Sequence, residues 1–403
     1  MLLNLAQKHT RIALAYFLLI AMLGVFLRLF PLLNVAVNYK FIVHTHSHIA
    51  LMGWVYTALT TLIYQLFLKD NIPKKKYKKL FWALQITLIG MLLSFPFTGY
   101  ALFSILFSTL FLGVSFVFVY CFFKFTTVAQ KKLQSYKMIR LALWFMVFSS
   151  LGPLSLGAIM NTAGKGSDLY RNSIYFYLHF QYNGWFLVTL LGFFLYLLEK
   201  NKIALPQYQF KQFYVLFGLG VVLTFLLSLL WMDNLPILIP VIVGVGGLLQ
   251  IGAIFILAKH SVSNALVIKE KLKPMTFTLL KIVSFLFVIK LVVQLISVFP
   301  VVSNIALLNF DLVIGYLHWV FLGVVSVGLF LFFHHFKLLK LSKKIVLLYL
   351  IGFFTTEFLI FYRGGGAIFK YLVIVNFNSY LVVASVFLLT AIAMLVIKQL
   401  LKK

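Results

Sequence analysis

The chain has little of what a soluble protein carries on its surface. Only 10% of its 403 residues are charged, seven are acidic, and Cys121 is the single cysteine. One cysteine excludes an internal disulfide and a thiolate cluster around a metal. The shortage of charge excludes a soluble globular fold, and no segment between the apolar runs is long enough for a soluble domain.

Apolar residues are abundant instead. They make up 63% of the chain, and the mean hydropathy is +1.06. Windows of about 20 apolar residues, the length of helix that crosses a bilayer core, predict about twelve spans. These cover roughly residues 11–33, 43–68, 79–98, 100–123, 141–161, 174–198, 212–232, 235–258, 276–299, 311–333, 345–362 and 368–397. The sequence therefore predicts an all-α polytopic membrane protein, one membrane domain over residues 1–403 in a lipid bilayer.

The basic residues are distributed unequally between the two sides of this predicted domain. Assigned to alternating sides, 27 of the 35 lysines and arginines fall on the side of the N-terminus, five on the other side and three within spans. Such an excess marks the cytoplasmic side of membrane proteins. We therefore expect both termini in the cytoplasm of a multi-pass protein of the bacterial inner membrane. Orientation accounts for the net charge of +28, so nucleic acid is not an expected partner.

Histidines stand out among the polar residues. Four of the nine fall in basic flanks, where solvated or interfacial side chains are expected: His9, His260, His334 and His335. The other five lie toward the outer ends of spans 2, 6 and 10: His44, His46, His48, His179 and His318. Counted from the predicted helix starts at 1.5 Å per residue, the deepest histidine of each span lies roughly 8–10 Å inside. Three spans therefore offer imidazole at one depth.

The surroundings of these three histidines repeat. "HIALMGW" from His48, "HFQYNGW" from His179 and "HWVFLGV" from His318 share the pattern H-x-x-x-x-G, at intervals of 131 and 139 residues. Each interval corresponds to four spans, which predicts three four-helix arcs with a pseudo-threefold repeat. The arcs cover about residues 1–130, 131–265 and 266–403. The repeated glycine would admit either a flat bulky group or a close helix neighbour.

Imidazole inside a membrane needs a chemical reason. Ionisable side chains there are costly and face the protein interior, where a hydrogen-bonded bridge between helices is one explanation. Metal binding is the other, since neutral imidazole is a ligand of transition metals and haem iron. A set of ligands without thiolates or carboxylates favours haem or copper over structural zinc. Both explanations stay open on the residues alone.

Together these features resemble the haem–copper oxidase subunit I superfamily of cytochrome c oxidases, quinol oxidases and nitric oxide reductases. "DLVIGYLHWVFLGVVSVG", from Asp311, is similar to the superfamily's span-10 pattern, and His318 falls on its low-spin haem ligand. The resemblance implies haem b between spans 2 and 10, with His48 as the other axial ligand. His44 and His46 are rivals for that position, because the sequence does not choose among the three.

Two further motifs fit the same resemblance. "YFYLHFQYNGW" is similar to the superfamily's span-6 motif, which implies that His179 holds copper or a second haem. "FYRGGG" after span 11 resembles the loop that binds haem propionates, which makes Arg363 a candidate clamp, since a guanidinium suits a carboxylate. Tyr316 departs from the pattern, because it stands where the high-spin haem ligand belongs. Span 7 also lacks the superfamily's two copper-ligating histidines.

The low-spin haem half of the superfamily's site is therefore expected, and the high-spin haem and copper half is degenerate. This implies an oxidoreductase with an incomplete active site, acting in electron transfer or in oxygen or nitric oxide chemistry. The implied partners are an electron donor, cytochrome c or quinol, and other membrane subunits. "HSHIALMG" is also similar to a motif of nitric-oxide-stress haem–copper membrane proteins, which suggests a non-catalytic role in the nitric oxide response or in assembly.

An alternative from another class is a twelve-span, proton-coupled secondary transporter without haem. It predicts helices broken near the bilayer midplane, and "VIVGVGGLLQIG" in span 8 is the segment that fits. Two ionisable residues within spans, Lys290 and Glu357, suit a proton path or a mutual ion pair, although Lys290 would equally snorkel to the interface. Arg28 would snorkel or meet a propionate. Trp54 and Trp185 would stack on a macrocycle or simply fill space.

Overall fold

The computed structural model describes residues 4–232 and 235–401. Within them the chain is helical and has no β-strand, and twelve helices are long and apolar enough to cross a membrane. Spans 1 to 12 are Leu5–Leu29, Tyr39–Leu68, Lys74–Thr98, Leu102–Phe125, Gln134–Thr162, Asp168–Lys200, Gln207–Leu229, Leu238–Ser263, Pro274–Ile296, Phe310–His335, Lys343–Gly366 and Phe377–Leu400. The prediction of an all-α polytopic membrane protein is confirmed.

Nine of the twelve spans begin earlier than hydropathy indicates, and polar residues cap the starts of three of them, spans 2, 6 and 10. The side chains of Asn38 and Asn309 accept hydrogen bonds from the backbone at the starts of spans 2 and 10, and Ser167 does so at span 6. Such caps satisfy N–H groups that lack a partner within the helix. The deepest histidines therefore lie nine, eleven and eight residues after the first residue of their spans. This corresponds to about 12–17 Å, so the expected depth was too shallow.

The chain divides into two compact units. Unit 1 contains Met1–Thr127 and Leu329–Lys403, and unit 2 contains Val128–Gly328. Spans 1–4, 11 and 12 therefore belong to unit 1 and spans 5–9 to unit 2, and the boundary falls within span 10. The single membrane domain with three arcs stays a prediction.

Close helix packing holds each unit together. In unit 1, a Cβ atom on Gly352 of span 11 would come within 2.7 Å of the Leu388 backbone nitrogen of span 12. In unit 2, a Cβ on Gly220 of span 7 would lie 2.8 Å from the carbonyl oxygen of Gly246 in span 8. Small residues at such points let helix backbones approach closely, which is how helices associate in a membrane.

Unit 2 also contains a charged cap that links two spans. The carboxylate of Glu199, near the end of span 6, accepts a hydrogen bond from the Gln134 backbone N–H at 2.6 Å and another from the Ser135 hydroxyl. These residues form the first turn of span 5. A negative charge there interacts favourably with the positive end of the helix dipole, so Glu199 fixes span 5 against span 6.

Two helices differ from what the motifs suggested. Span 8 is a continuous α-helix from Leu238 to Ser263, so the break that a transporter would have in "VIVGVGGLLQIG" is not found there. Arg363 was expected in a loop, and this was wrong: the helix of span 11 runs from Lys343 to Phe369. The helix continues through Gly364, Gly365 and Gly366, and the Tyr371 side chain packs against Gly365.

Candidate functional site

The repeated histidines share a local backbone geometry. A π-helical segment begins immediately after each of them: Ile49–Tyr56 after His48, Phe180–Phe186 after His179 and Trp319–Ser326 after His318. π-helical turns are rare, and they are frequent at functional sites. The repeat seen in the sequence therefore extends to the hydrogen-bonding pattern of the helices.

The three spans that carry the repeated histidines, spans 2, 6 and 10, are also the most buried of the twelve. The buried shares of their most apolar segments are 89% in span 2, 78% in span 6 and 67% in span 10, against 28–50% in the other nine. Lipid-facing helices expose one side to hydrocarbon, whereas these three are covered by protein on most sides. Polar groups on them are therefore available to the interior, where an intramembrane functional group belongs.

Close helix neighbours explain two of the repeated glycines. A Cβ atom on Gly53 would come within 3.0 Å of the Tyr16 ring in span 1, and one on Gly184 within 2.7 Å of the Phe145 Cβ in span 5. In both cases an aromatic residue of the preceding span packs on the glycine. Trp54 behaves similarly, because it is buried and stacks on Phe17 with ring centroids 4.4 Å apart.

Replacing Gly184 by alanine is expected to lower the free energy of unfolding by about 1–3 kcal/mol, since overpacking of this kind forces a backbone shift. The matched control is Gly113→Ala in span 4, where nothing lies within 4 Å of the added methyl. That change should stabilise by up to about 1 kcal/mol through helix propensity. Reversible unfolding in mixed micelles measures both. Equal effects of the two substitutions would contradict the packing role of Gly184.

His48 is held in one tautomer. Its Nδ1 lies 2.8 Å from the carbonyl oxygen of His44. A carbonyl oxygen only accepts hydrogen bonds, so Nδ1 carries the proton and Nε2 carries the lone pair. The Tyr100 hydroxyl, in the turn between spans 3 and 4, lies 3.2 Å from Nε2 and donates to it. A ring N–H fixed by a backbone carbonyl, with the other nitrogen presenting its lone pair, is typical of metal-ligating histidine.

The two rivals of His48 are placed differently. The His44 ring lies edge-on to the Tyr100 ring, with centroids 4.7 Å apart. The His46 ring packs on span 1, where its Cε1 would be 3.3 Å from a Cβ on Gly24. The backbone carbonyl of His44 thus accepts the hydrogen bond from His48, and the His44 ring packs against Tyr100.

The other predicted site residues are distributed over both units. In unit 2, His318 is half-buried, and so is Tyr316, two residues earlier in span 10. In unit 1, Arg363 donates to the Asn378 side-chain oxygen at 3.3 Å. The pairing of His48 with His318 across one haem stays a prediction, as does the role of Arg363.

Unit 1 also contains a buried acidic residue. Glu357 of span 11 is only 2% exposed, and the charge of Arg28 in span 1 acts on its carboxyl group. The charges of spans 1 and 11 therefore interact within unit 1. Glu357 itself lies in the protein interior, where ionisable side chains of membrane spans belong.

His179 uses both of its ring nitrogens. It is 3% exposed, and its Nε2 lies 2.8 Å from the carbonyl oxygen of Val221 in span 7, so Nε2 carries the proton. Its Nδ1 accepts a hydrogen bond from the Asn183 amide at 3.2 Å. Span 7 changes from α-helix to 3₁₀-helix at Thr224, and carbonyls at such a junction need partners outside the helix.

Lys290 of span 9 lies at the centre of a buried polar cluster. It is 1% exposed, and its ammonium donates to the Asn183 side-chain oxygen at 2.6 Å and to that of Gln294. The cluster continues from Gln294 to Gln250 at 3.4 Å and from Gln250 to the Thr224 hydroxyl at 2.9 Å. We call it the Lys290 network; it consists of His179, Asn183, Thr224, Gln250, Lys290 and Gln294. Of the two alternatives for Lys290, snorkelling to the interface is therefore wrong.

The donor directions in this network form two chains. From Lys290, one chain runs through Asn183 and His179 to the Val221 carbonyl. The other runs through the two glutamines and Thr224 to the Gly220 carbonyl. Every step donates away from the ammonium, so one cation orients all the side-chain amides. Spans 6, 7, 8 and 9 are tied together by it.

A copper ion does not fit this arrangement. Binding at His179 would displace either the Asn183 amide or the Val221 carbonyl, and it would place a second cation close to Lys290. Across residues 4–232 and 235–401, no group of three or more histidine, cysteine, aspartate or glutamate side chains is arranged to hold a metal ion. The nitrogens of His179 serve the Lys290 network instead.

Three residues of these contacts were not predicted as site residues: Tyr100, Gln250 and Gln294. Their signal in the sequence is a polar side chain within or beside an apolar span. His9 was expected to be solvated, which is wrong: it is 3% exposed and stacks on Phe81 with centroids 3.4 Å apart. A neutral imidazole is flat enough to be packed as an aromatic ring.

No protein-family model and no curated protein matches the chain. The resemblance to the haem–copper oxidase subunit I superfamily therefore depends on the motifs around His48, His179, His318 and Arg363.

Proposed function

We propose that the chain is a haem b-binding membrane protein in which Nε2 of His48 is an axial ligand of the iron. The observation that supports this most directly is the fixed tautomer of His48, with Nδ1–H donated to the His44 carbonyl. The π-helical segment after each repeated histidine adds support, because π-helical turns are frequent at functional sites. His318 is the second axial ligand implied by the superfamily pattern.

Haem b held between two imidazoles supplies one-electron transfer. The residues of unit 1 would set the conditions for it. The His44 carbonyl keeps the His48 ring oriented and makes Nε2 more basic. The Tyr100 hydroxyl, which donates to Nε2 here, would lose that hydrogen bond if Nε2 bound iron. Arg363 would pair with a propionate, as its guanidinium suits a carboxylate.

The proposal includes the cellular setting. The excess of basic residues on one side supports a bacterial inner-membrane protein with both termini in the cytoplasm. A cytochrome c or quinol would donate electrons, and oxygen or nitric oxide is the class of substrate or signal that the superfamily resemblance suggests. The missing histidines of span 7 and the engaged nitrogens of His179 argue for electron transfer or sensing over complete oxygen reduction.

The test is a spectrum of the protein purified after expression with added haem precursor. We expect a Soret band, α and β bands of six-coordinate haem in the reduced protein, and a b-type pyridine haemochrome. His260→Ala is a matched control, because this ring bonds the Ile203 carbonyl far along the chain and has no proposed role. A pure, folded protein without any haem absorption would refute the proposal.

A proton-coupled secondary transporter is the second candidate, and the Lys290 network is the observation that favours it. A buried lysine linked to a buried histidine across four spans of unit 2 is the kind of group that binds substrate or carries protons in transporters. Proton-coupled uptake by vesicles containing haem-free protein would favour this candidate. Retained haem without oxygen or nitric oxide turnover would instead indicate a non-catalytic member of the superfamily.

A further inference from the structure

Two lysine side chains of unit 1 lie over the same pair of aromatic rings. The Lys76 ammonium is 5.9 Å from the Tyr120 ring centroid and 5.1 Å from that of Phe125. The Lys124 ammonium is 5.4 Å and 6.0 Å from the same two centroids. Lys76 lies in the first turn of span 3 and Lys124 in the last turn of span 4. The start of span 3 and the end of span 4 thus each place one ammonium group over the rings of Tyr120 and Phe125.

The partners of these two charges are aromatic rings. Lys124 also donates to the Tyr120 hydroxyl at 3.0 Å. Within the described residues, neither Lys76 nor Lys124 contacts a carboxylate; their contacts are with Tyr120 and Phe125. Cation–π attraction positions the ammonium groups, but two like charges held together repel each other. An anion between them would remove that repulsion.

The surface around these two lysines is positive, and it lies where span 3 begins and span 4 ends. The first six residues of span 3 also carry four exposed lysines: Lys74, Lys75, Lys78 and Lys79. The positive end of the helix dipole adds to their field. Exposed apolar side chains such as Trp82 and Val117 follow on the same two spans. A basic group next to an apolar surface fits a molecule with an anionic head and hydrocarbon tails.

We propose that Lys76 and Lys124 bind the headgroup phosphate of an anionic phospholipid, above the rings of Tyr120 and Phe125. Both ammonium groups donate to phosphate oxygens, and the acyl chains lie along spans 3 and 4. Clusters of lysines immediately outside a transmembrane helix are typical of anionic lipid recognition. The site is independent of haem and lies at the opposite ends of spans 3 and 4 from Tyr100.

The test compares the wild-type chain with Lys76→Gln/Lys124→Gln in detergent. Short-chain phosphatidylglycerol is titrated, and the bound lipid is counted by native mass spectrometry. At the usual contribution of each basic residue, we expect the double variant to bind about thirtyfold more weakly. Lys131→Gln/Lys132→Gln removes equal charge from the connector after span 4 and should change binding by less than about threefold.

Further arms keep the result decisive. Lys76→Arg/Lys124→Arg should retain lipid binding. If the double glutamine variant does not fold, the single variants Lys76→Gln and Lys124→Gln replace it, and each should bind the lipid about fivefold more weakly. Inorganic phosphate added in phosphatidylcholine micelles should not raise the unfolding temperature, whereas phosphatidylglycerol should. Stabilisation by inorganic phosphate alone, or equal losses in the 76/124 and 131/132 variants, would overturn the proposal.

Discussion

Replacing Lys290 by methionine is expected to lower the free energy of unfolding by about 2 kcal/mol. The substitution leaves the buried side-chain oxygens of Asn183 and Gln294 without their donor, and each orphaned acceptor costs about 1–3 kcal/mol. The lower end applies here, because helices unfolded within a membrane find other partners for their polar groups. Methionine fills nearly the same volume, so a cavity adds little.

The matched control lies in the same span. Lys281→Met removes the same charge, but Lys281 is exposed and its ammonium lies over the Phe277 ring at 5.4 Å. Substitutions at such surface positions usually change stability by less than about 0.5 kcal/mol. Steric trapping or reversible unfolding in mixed micelles measures both variants. Equal losses, or a more stable Lys290→Met, would show that the ammonium does not organise the network.

A double substitution separates the hydrogen bond from the charge. Gln294→Leu removes one acceptor of Lys290, and combined with Lys290→Met it removes both partners. If the two side chains interact as the structure shows, the double variant should lose about 1 kcal/mol less than the sum of the singles. Additive losses would assign the effect to each side chain separately. His179→Ala should couple with Lys290→Met more weakly, because Asn183 lies between them.

The sequence predicted the twelve spans and the histidine repeat for a simple physical reason. A helix in hydrocarbon must be apolar for about 20 residues, and a repeated side chain at a repeated spacing needs no tertiary information. The starts of spans 2 and 6 were placed too late, because after the caps Asn38 and Ser167 these helices begin with polar turns that lie outside any hydropathy window. The π-helical segments could not be predicted, since a change in hydrogen-bond register leaves no mark in composition.

The partners of the site residues were beyond sequence reasoning for a different reason. Tyr100 is 52 residues from His48, and Lys290 is 107 residues from Asn183. Each pair meets through helix packing, which depends on glycine contacts such as that of Gly220 with Gly246. A lone lysine in an apolar span is equally compatible with snorkelling and with an internal polar partner when its neighbours are unknown. In the structure those neighbours are Asn183 and Gln294, and they accept hydrogen bonds from a buried Lys290.

The second large effect is expected from His48→Ala, which should abolish haem absorption in the purified protein. The axial bond of Nε2 is lost, and alanine offers no replacement. His44→Ala should retain haem, because it leaves in place the backbone carbonyl that fixes the His48 ring. His46→Ala should retain haem as well, since that ring packs on span 1. The haem-to-protein ratio from pyridine haemochrome spectra measures all three.

Tyr100→Phe sharpens the same test, because its expected effect has the opposite sign. The Tyr100 hydroxyl donates to the nitrogen that is the iron ligand in the proposal, so haem would compete with that hydrogen bond. A hydrogen bond of this kind is worth about 0.5–1.5 kcal/mol, and its removal should raise haem affinity about fivefold. Added imidazole should restore haem to His48→Gly by occupying the vacated position. The opposite result is haem loss in Tyr100→Phe and His44→Ala with retention in His48→Ala. It would identify His44 as the ligand instead of His48.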